Sequence, residues 1–256
     1  MSHKLELNSW QELDERRRKC DVAIVPVGSV EQHGYHLPLG TDTFVAKCLG
    51  EDAAEKTGAV VTPPMWFGWS PHHMALPGTV TIRPEILIEV LYDVIVSLHK
   101  HGYNKFVLIN GHRIVNTVWM QITAQRAQQA LGIVVKIFDP AYMSKDIVDD
   151  LGFGAVGHSE EIETSHMMYK YPDLVHIEKA VDNPVKPAEL YSVDPRFMHD
   201  TLCYVPSTIA DIARSGKIAG GTTGEPSKSD MEKGKRYHEH LLKNLIKVIE
   251  MLKGQK

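Results

Sequence analysis

The chain has 256 residues, of which 43% are hydrophobic, enough for one large α/β domain with a sizeable core. Its formal net charge is −4 and it carries no basic stripe, which argues against a nucleic-acid-binding protein. The three cysteines, Cys20, Cys48 and Cys203, are far apart and odd in number, which favours a reducing compartment over a disulfide framework. Because we find neither the apolar region of a signal peptide nor a membrane-length apolar run, we expect a cytoplasmic protein.

Strand-like and helix-like segments alternate over the first half of the chain. The sequence predicts strands at 21–28, 59–66, 104–111 and 132–140, of which the second is broken by Pro63 and Pro64. It predicts helices at 43–58, 83–102 and 116–131. Helical spacing recurs at 160–171 and 230–253, and a Gly-rich loop is expected at 216–230. This order predicts a three-layer α/β/α fold with a mainly parallel sheet. No linker divides the chain, so we expect a single domain over residues 1–256.

Polar side chains crowd the ends of two predicted strands. Glu31, His33, His36 and Asp42 follow the strand at 21–28, and the tripeptide Asn-Gly-His at 110–112 ends the strand at 104–111. In open parallel sheets, ligands bind beyond the carboxyl ends of the strands, where neighbouring ends meet. Carboxylates and imidazoles in one pocket suit zinc, manganese or iron, and clustered carboxylates need a cation to offset their repulsion. The spacing alone does not decide between a metal site and ordinary loop residues, and a lone histidine such as His36 favours the second interpretation.

A third cluster occupies residues 157–168, with the sequence GHSEEIETSHMM. Acidic residues at a helix start offset the helix dipole, and this explanation accounts for Glu160. For His158 and Glu163 a more specific interpretation is available, because their segment matches a motif described next.

Four segments, in order, resemble motifs of the creatininase family of creatinine amidohydrolase-like proteins. They are PVGSVEQHGYHLPLGTD at 26–42, WSPHHMALPGTVTI at 69–82, LINGH at 108–112 and HSEEIETS at 158–165. The resemblance implies a creatininase-like α/β hydrolytic fold with a binuclear metal centre. It also implies a small-molecule substrate and a homo-oligomer, for which a hexamer is one expected form. The charge pattern and the lack of a membrane-length apolar run separately lead us to expect no nucleic-acid or membrane partner.

Residue by residue, the resemblance implies two divalent ions per chain, zinc, manganese or iron, held by Glu31, His33, Asp42, His112 and Glu163. Asp42 is expected to bridge the two ions. These ions would activate a water for attack on a carbonyl carbon.

Further roles follow from the same motifs. His158 matches an active-site histidine suited to proton transfer, and Glu161 is the alternative for that role. His73 matches a second pocket histidine, and Ser70 of the same segment is also expected to contact substrate.

The segment after the third motif departs from the family. The family usually continues Asn-Gly-His with Gly-Gly-Asn, whereas this chain has Arg113, Ile114 and Val115. In creatininase itself a glutamate ligand stands at the position of Ile114, so creatinine is not the expected substrate. Arg113 is predicted to bind substrate and to favour an anionic or hydroxyl-rich compound. Its alternative role is a surface ion pair at a helix start.

Three functions remain open from the sequence. The first is C–N hydrolysis of a small polar, cyclic amide-type compound. The second is C–C hydrolysis that opens a cyclic ketone such as an oxidised inositol. The third is a metal-binding relative that has lost catalysis.

Overall fold

The computed structural model describes residues 2–184, 194, 196 and 206–254. Its strands are β1 (Val22–Val27), β2 (Val60–Val61), β3 (Lys105–Asn110) and β4 (Val134–Phe138). Its α-helices are α1 (Trp10–Lys19), α2 (Thr41–Thr57), α3 (Pro84–Lys100), α4 (Thr117–Leu131), α5 (Pro140–Met143), α6 (Lys145–Asp150), α7 (Glu161–Lys170), α8 (Ile209–Ala219) and α9 (Met231–Lys253). The strands pair in the order β2-β1-β3-β4, and every pairing is parallel.

Successive side chains of the central strands point to opposite faces of the sheet, and helices cover both faces. Ile24 of β1 and Ile109 of β3 pack with helices α2 and α9 in one hydrophobic cluster. Val25 and Leu108 pack with α3 and α4 in the other. The structure therefore has helices on both faces of a parallel sheet, and the predicted α/β/α fold class is confirmed.

Two predicted elements differ from the observed ones. The strand expected at 59–66 is reduced to Val60–Val61, since Pro63 and Pro64 have no N–H to donate to a sheet ladder. The loop expected at 216–230 begins later, because α8 continues to Ala219 and ends at Gly220 with a φ of 61°. A glycine in the left-handed conformation commonly ends a helix. The loop was therefore predicted correctly, but its predicted start at residue 216 lies inside α8.

The structure also bears on the expectations for the cysteines and for membrane-spanning helices. Cys20 and Cys48 are free and buried, and Cys203 lies outside the described residues. Among the described helices, none is long and apolar enough to cross a bilayer.

The long C-terminal helix α9 packs closely against α7. Gly234 lies in the first turns of α9, and a Cβ atom built there would lie 1.9 Å from the backbone oxygen of Ser165. Any larger residue at this position would push the two helix backbones apart, so glycine sets the distance between α7 and α9. That distance matters for function because α7 carries Glu163.

Gly234→Ala should therefore lower the free energy of unfolding by about 1–3 kcal/mol through overpacking, although alanine is the better helix former. Urea unfolding followed by circular dichroism measures this change. Gly254→Ala is the matched control, since its Cβ would meet its nearest neighbour at 3.7 Å and should leave the midpoint unchanged. Equal midpoints for the two variants would contradict the close approach of α7 and α9.

Candidate metal centre

The loop from β1 to α2 positions the first three predicted ligands. The backbone N–H of Glu31 donates to Leu39 O at 2.9 Å, which closes the loop on itself. His33 Nδ1 lies 3.1 Å from the carbonyl oxygen of Glu31, and His33 Nε2 lies 3.1 Å from Asp42 Oδ1. The carbonyl fixes the ring orientation, so that Nε2 faces the carboxylates. Asp42 itself sits in the first turn of α2, where the helix dipole favours a negative charge.

The neighbouring strand β3 brings His112 to the same place. His112 Nε2 lies 3.3 Å from Glu31 Oε2, and its Nδ1 lies 3.2 Å from Asp42 Oδ2. Gly111 makes this approach possible, because a Cβ there would lie 2.0 Å from the backbone oxygen of Asp42. The glycine of the Asn-Gly-His tripeptide therefore has a steric role at this site.

Glu163 completes the group from the first turn of α7. Its Oε2 accepts a hydrogen bond from Ser159 N at 2.8 Å and lies 3.8 Å from His33 Nε2. The structure thus brings all five predicted ligands together, and each is buried: Glu31, His33, Asp42, His112 and Glu163.

These donors fit divalent cations. In the described part of the chain, Glu31 Oε1 and Asp42 Oδ2 are buried and accept no well-aligned hydrogen bond, although imidazole nitrogens lie 3.3 Å and 3.2 Å away. Buried carboxylate oxygens without donors are costly unless a cation satisfies them. The oxygen and imidazole donors are of the kind that zinc, manganese and iron accept.

Local charge perturbs the pKa values of the cluster. Burial raises the pKa of Glu31 to about 7. Burial alone would lower the pKa of His33 and His112, but the neighbouring carboxylates raise them to about 10 and about 9. Burial would raise the pKa of Asp42, and its contacts with the two imidazoles lower it instead. Protons on the imidazoles thus balance the carboxylates, and a bound divalent cation would displace those protons.

Two further histidines, whose ring centroids lie 4.2 Å apart, face the same oxygen of Glu31. His73 Nδ1 lies 2.8 Å from Gln32 Nε2, so it accepts from the amide and leaves Nε2–H to face Glu31 Oε1 at 3.3 Å. His158 Nε2 donates to Gln32 O at 2.5 Å, which leaves the lone pair of Nδ1 facing Glu31 Oε1 at 3.7 Å. Burial holds the pKa of both rings well below the usual value, so both are neutral near pH 7. His158 therefore presents a basic nitrogen to the cluster.

The other predicted site residues lie behind the cluster. Ser70 Oγ is 2.6 Å from Ser29 Oγ, which donates to Glu31 Oε2 at 3.0 Å. Glu161 accepts from Gly154 N at 2.5 Å and from Glu225 N at 3.2 Å, away from the other carboxylates. The catalytic role of Glu161 and the substrate contact of Ser70 stay predictions, and neither residue borders the cavity described below.

Arg113 makes a buried double ion pair. One guanidinium nitrogen, Nη2, lies 2.6 Å from Glu160 Oε1 and 2.6 Å from Glu163 Oε1. Glu160 also caps α7 by accepting from Glu163 N at 3.1 Å, which confirms its predicted role at the helix start. The substrate-binding role of Arg113 stays a prediction, while its guanidinium is engaged by the carboxylate of an expected ligand.

Sequence reasoning missed Asp139, which follows β4. Its Oδ2 accepts from Asn110 Nδ2 at 2.8 Å, from Ile114 N at 2.7 Å and from Thr117 Oγ1 at 2.9 Å. One carboxylate thus fixes the loop that carries His112. The available signal was Asp before Pro140, which indicates a helix N-cap but not this second task.

A cavity of about 710 Å³ opens over the cluster. Its polar lining includes His72, a residue that the sequence did not single out, together with His73, His112, His158 and Glu163. The rest of the lining is largely apolar and includes Val115, Val118, Tyr142, Ile209 and Ile212. Three of the predicted ligands, Asp42, His112 and Glu163, therefore line a cavity large enough for a small organic molecule.

Known proteins share this sequence pattern. A creatininase family model, described as creatinine amidohydrolase, matches residues 6–249. A 3-dehydro-scyllo-inosose hydrolase from Thermotoga maritima is 30% identical over 250 residues, which cover 94% of this chain and 80% of that protein. A creatinine amidohydrolase from Pseudomonas putida is 29% identical over 208 residues, covering 73% of this chain and 80% of that one.

Solved structures share the fold. The structure described as "Creatininase Mn" has a TM-score of 0.80 at 25% identity and covers 100% of both chains. A creatininase variant described as Zn-Zn type gives the same TM-score, identity and coverage. The family match spans nearly the whole chain and the fold agrees along its full length, so this protein belongs to the creatininase family of hydrolases.

Proposed function

We propose that this protein hydrolyses a small, polar, cyclic carbonyl compound with two divalent ions as cofactors. The supporting observation is the close grouping of carboxylate and imidazole donor atoms. Donor atoms of Glu31, Asp42 and His112 lie within 4.8 Å of one another, and so do those of His33, Glu163 and the partly exposed His158. A third such group, Glu31, His73 and His158, shares members with both. The ligands proposed for the two ions are Glu31, His33, Asp42, His112 and Glu163.

When bound, such ions lower the pKa of a water and polarise a carbonyl group. The chain supplies the remaining functions. The lone pair of His158 Nδ1 is directed at the cluster, where it can take a proton from the attacking water and return it to the leaving atom. Gln32 O holds the other nitrogen of that ring, so the imidazole keeps one orientation throughout. Ser70 and Ser29 hold Glu31 in place through the chain of hydroxyls described above.

Two substrate classes fit this chemistry. A cyclic amide would lose a C–N bond, as the match to creatinine amidohydrolase suggests. A ring ketone has no amide bond, so its hydrolysis opens a C–C bond. The inosose hydrolase similarity spans more of this chain than the creatinine amidohydrolase similarity does. The resemblance of the third motif also implies that Ile114 stands where creatininase has a glutamate ligand. Both observations favour an oxidised cyclitol as the first substrate to test.

The test is ring opening by protein loaded with zinc, manganese or iron, with oxidised cyclitols and cyclic amides assayed in parallel by NMR. We expect about two ions per chain and turnover of one substrate class. Asp42→Asn should lose most of the bound metal and all turnover, since Asp42 lies within reach of both His33 and His112. Asp93→Asn on the exposed face of α3 is the control. Full activity with one ion or none would disprove the two-ion proposal, and metal uptake without turnover of either class would favour a non-catalytic relative.

His158→Ala should lower kcat by about 10²–10⁴, the usual effect of removing a general acid–base. Metal content should stay at the wild-type value, because the five proposed ligands remain. His101→Ala, an exposed histidine, is the control and should match the wild type. A His158→Ala protein that loses metal would make His158 a ligand, and an unchanged kcat would show that His158 does not transfer the proton.

Arg113 has a structural reason to act on the metal centre as well as on substrate. Its guanidinium bridges Glu160, which is fully buried, and Glu163, whose other oxygen faces His33. Burial raises the pKa of Glu160 to about 7 even beside the guanidinium, so the pair of carboxylates depends on that cation. Removing one partner of a buried ion pair typically costs about 3–5 kcal/mol.

Arg113→Gln should therefore weaken metal retention and lower the unfolding temperature, because Glu163 loses the group that orients it. The double variant Arg113→Gln/Glu160→Gln should recover part of the stability, since one uncompensated carboxylate is gone. Metal analysis and thermal unfolding of the three proteins measure both effects. If Arg113→Gln instead keeps its metal and raises only KM, the guanidinium binds substrate as the sequence predicted.

A further inference from the structure

A second group of metal-ligating side chains lies between α2, α7 and α9, outside the cavity. Cys48 of α2, His166 of α7 and His238 of α9 are all buried. One donor atom of each, the Cys48 sulfur and a ring nitrogen of each histidine, lies within 4.8 Å of the other two. Neither the cavity nor the proposed hydrolysis uses any of these groups.

The surroundings of His238 match those of a metal-bound histidine. His238 Nδ1 lies 2.8 Å from His166 Nε2, while His238 Nε2 lies 2.8 Å from Asp52 Oδ2. Metal-binding histidines commonly donate their second nitrogen to a carboxylate, which fixes the tautomer and makes the ligating nitrogen more basic. Lys170 Nζ, 2.6 Å from the same oxygen of Asp52, holds that carboxylate in its ionised form.

The spacing of residues along α2 and α7 brings these side chains together. Cys48 and Asp52 are four residues apart on α2, and His166 and Lys170 are four residues apart on α7, so each pair shares one helix face. Helix α9 adds His238 between them. The thiol and the imidazoles lie at the buried end of the group, and Asp52 and Lys170 lie at its partly exposed end.

We propose that Cys48, His166 and His238 bind one divalent cation of the zinc or cobalt type, separately from the hydrolytic centre. One thiolate and two imidazoles are the soft and borderline ligands that these metals prefer. Three protein ligands leave the fourth position of a tetrahedral ion for a water or a small anion. By holding three helices, the ion would stabilise the folded chain through mass action.

Metal binding at this site requires a small movement of the two imidazole rings and the transfer of two protons. Nitrogens on one tetrahedral ion are about 3.3 Å apart, so the two rings must separate by about 0.5 Å from their present contact. The proton between them must leave His166 Nε2 for the other nitrogen of that ring, and the Cys48 proton must pass to solvent. Burial raises the pKa of the Cys48 thiol to about 12, so that proton leaves only when a metal takes its place.

Cobalt(II) substitution separates this site from the hydrolytic centre. A thiolate bound to cobalt gives a near-ultraviolet charge-transfer band, and the five ligands proposed for the hydrolytic centre include no thiol. We expect the band in the wild type and its loss in Cys48→Ser, with one cobalt ion fewer per chain. Cys20→Ser and Cys203→Ser are the controls and should keep the band.

Three results would overturn the proposal: no thiolate band in the wild type at saturating cobalt, a band that persists in Cys48→Ser, or an unchanged cobalt count in that variant. The first result would mean that His166, His238 and Asp52 form only a chain of hydrogen bonds. His238→Gln provides a second test if Cys48→Ser fails to fold, and it should also lose the band. Because the readout is spectroscopic, it stands even if no substrate is hydrolysed.

Discussion

The electrostatic repulsion between Glu31, Asp42 and Glu163 is the interaction on which the rest of the candidate site depends. Three carboxylates in one buried pocket are unstable without positive charge near them. The chain supplies part of that charge through the imidazoles of His33 and His112, and part through the guanidinium of Arg113. The protonated imidazoles can give way to metal ions, whereas the arginine cannot release its charge. The positive charge at the site therefore has two sources. Metal ions can replace the imidazole protons, whereas the charge of the Arg113 guanidinium stays.

The proposed ligands are also held in place by hydrogen bonds with surrounding groups. A cluster that must accept cations at defined places needs side chains that do not collapse onto one another. Two backbone groups and one side chain supply that restraint: Glu31 O holds His33, Ser159 N holds Glu163, and the Asp139 carboxylate accepts from Ile114 N in the loop after β3. Ile114 of the same loop adopts a φ of 69°, a strained conformation for a β-branched residue. The hydrogen bond from Ile114 N to Asp139 holds this backbone shape at a cost in local strain.

Much of the fold and of the candidate site could be predicted from local patterns. Buried strands such as β1 and β3 read as continuous apolar runs, and parallel pairing brings their carboxyl ends together, so Glu31 and His112 were expected to meet. Patterns were imprecise at element ends: Pro63 and Pro64 signalled a break in the strand at 59–66, but not that β2 would be reduced to Val60–Val61. They also failed where partners lie far apart in sequence. Arg113 and Glu160 are separated by 47 residues, and no spacing rule joins them. Asp139 was equally hidden, since its cap signal accounts for only one of its oxygens.

Helix α7 links the two groups of potential metal ligands. Glu163 and His166 are three residues apart on this helix, and they contact different partners, the hydrolytic cluster and α9. The close approach of Gly234 to Ser165 lies between those contacts along the helix. A shift of α7 relative to α9 would therefore move Glu163 relative to His33 and His166 relative to His238 together. The position of one short helix, set by a glycine on its neighbour, thus controls the geometry of both groups.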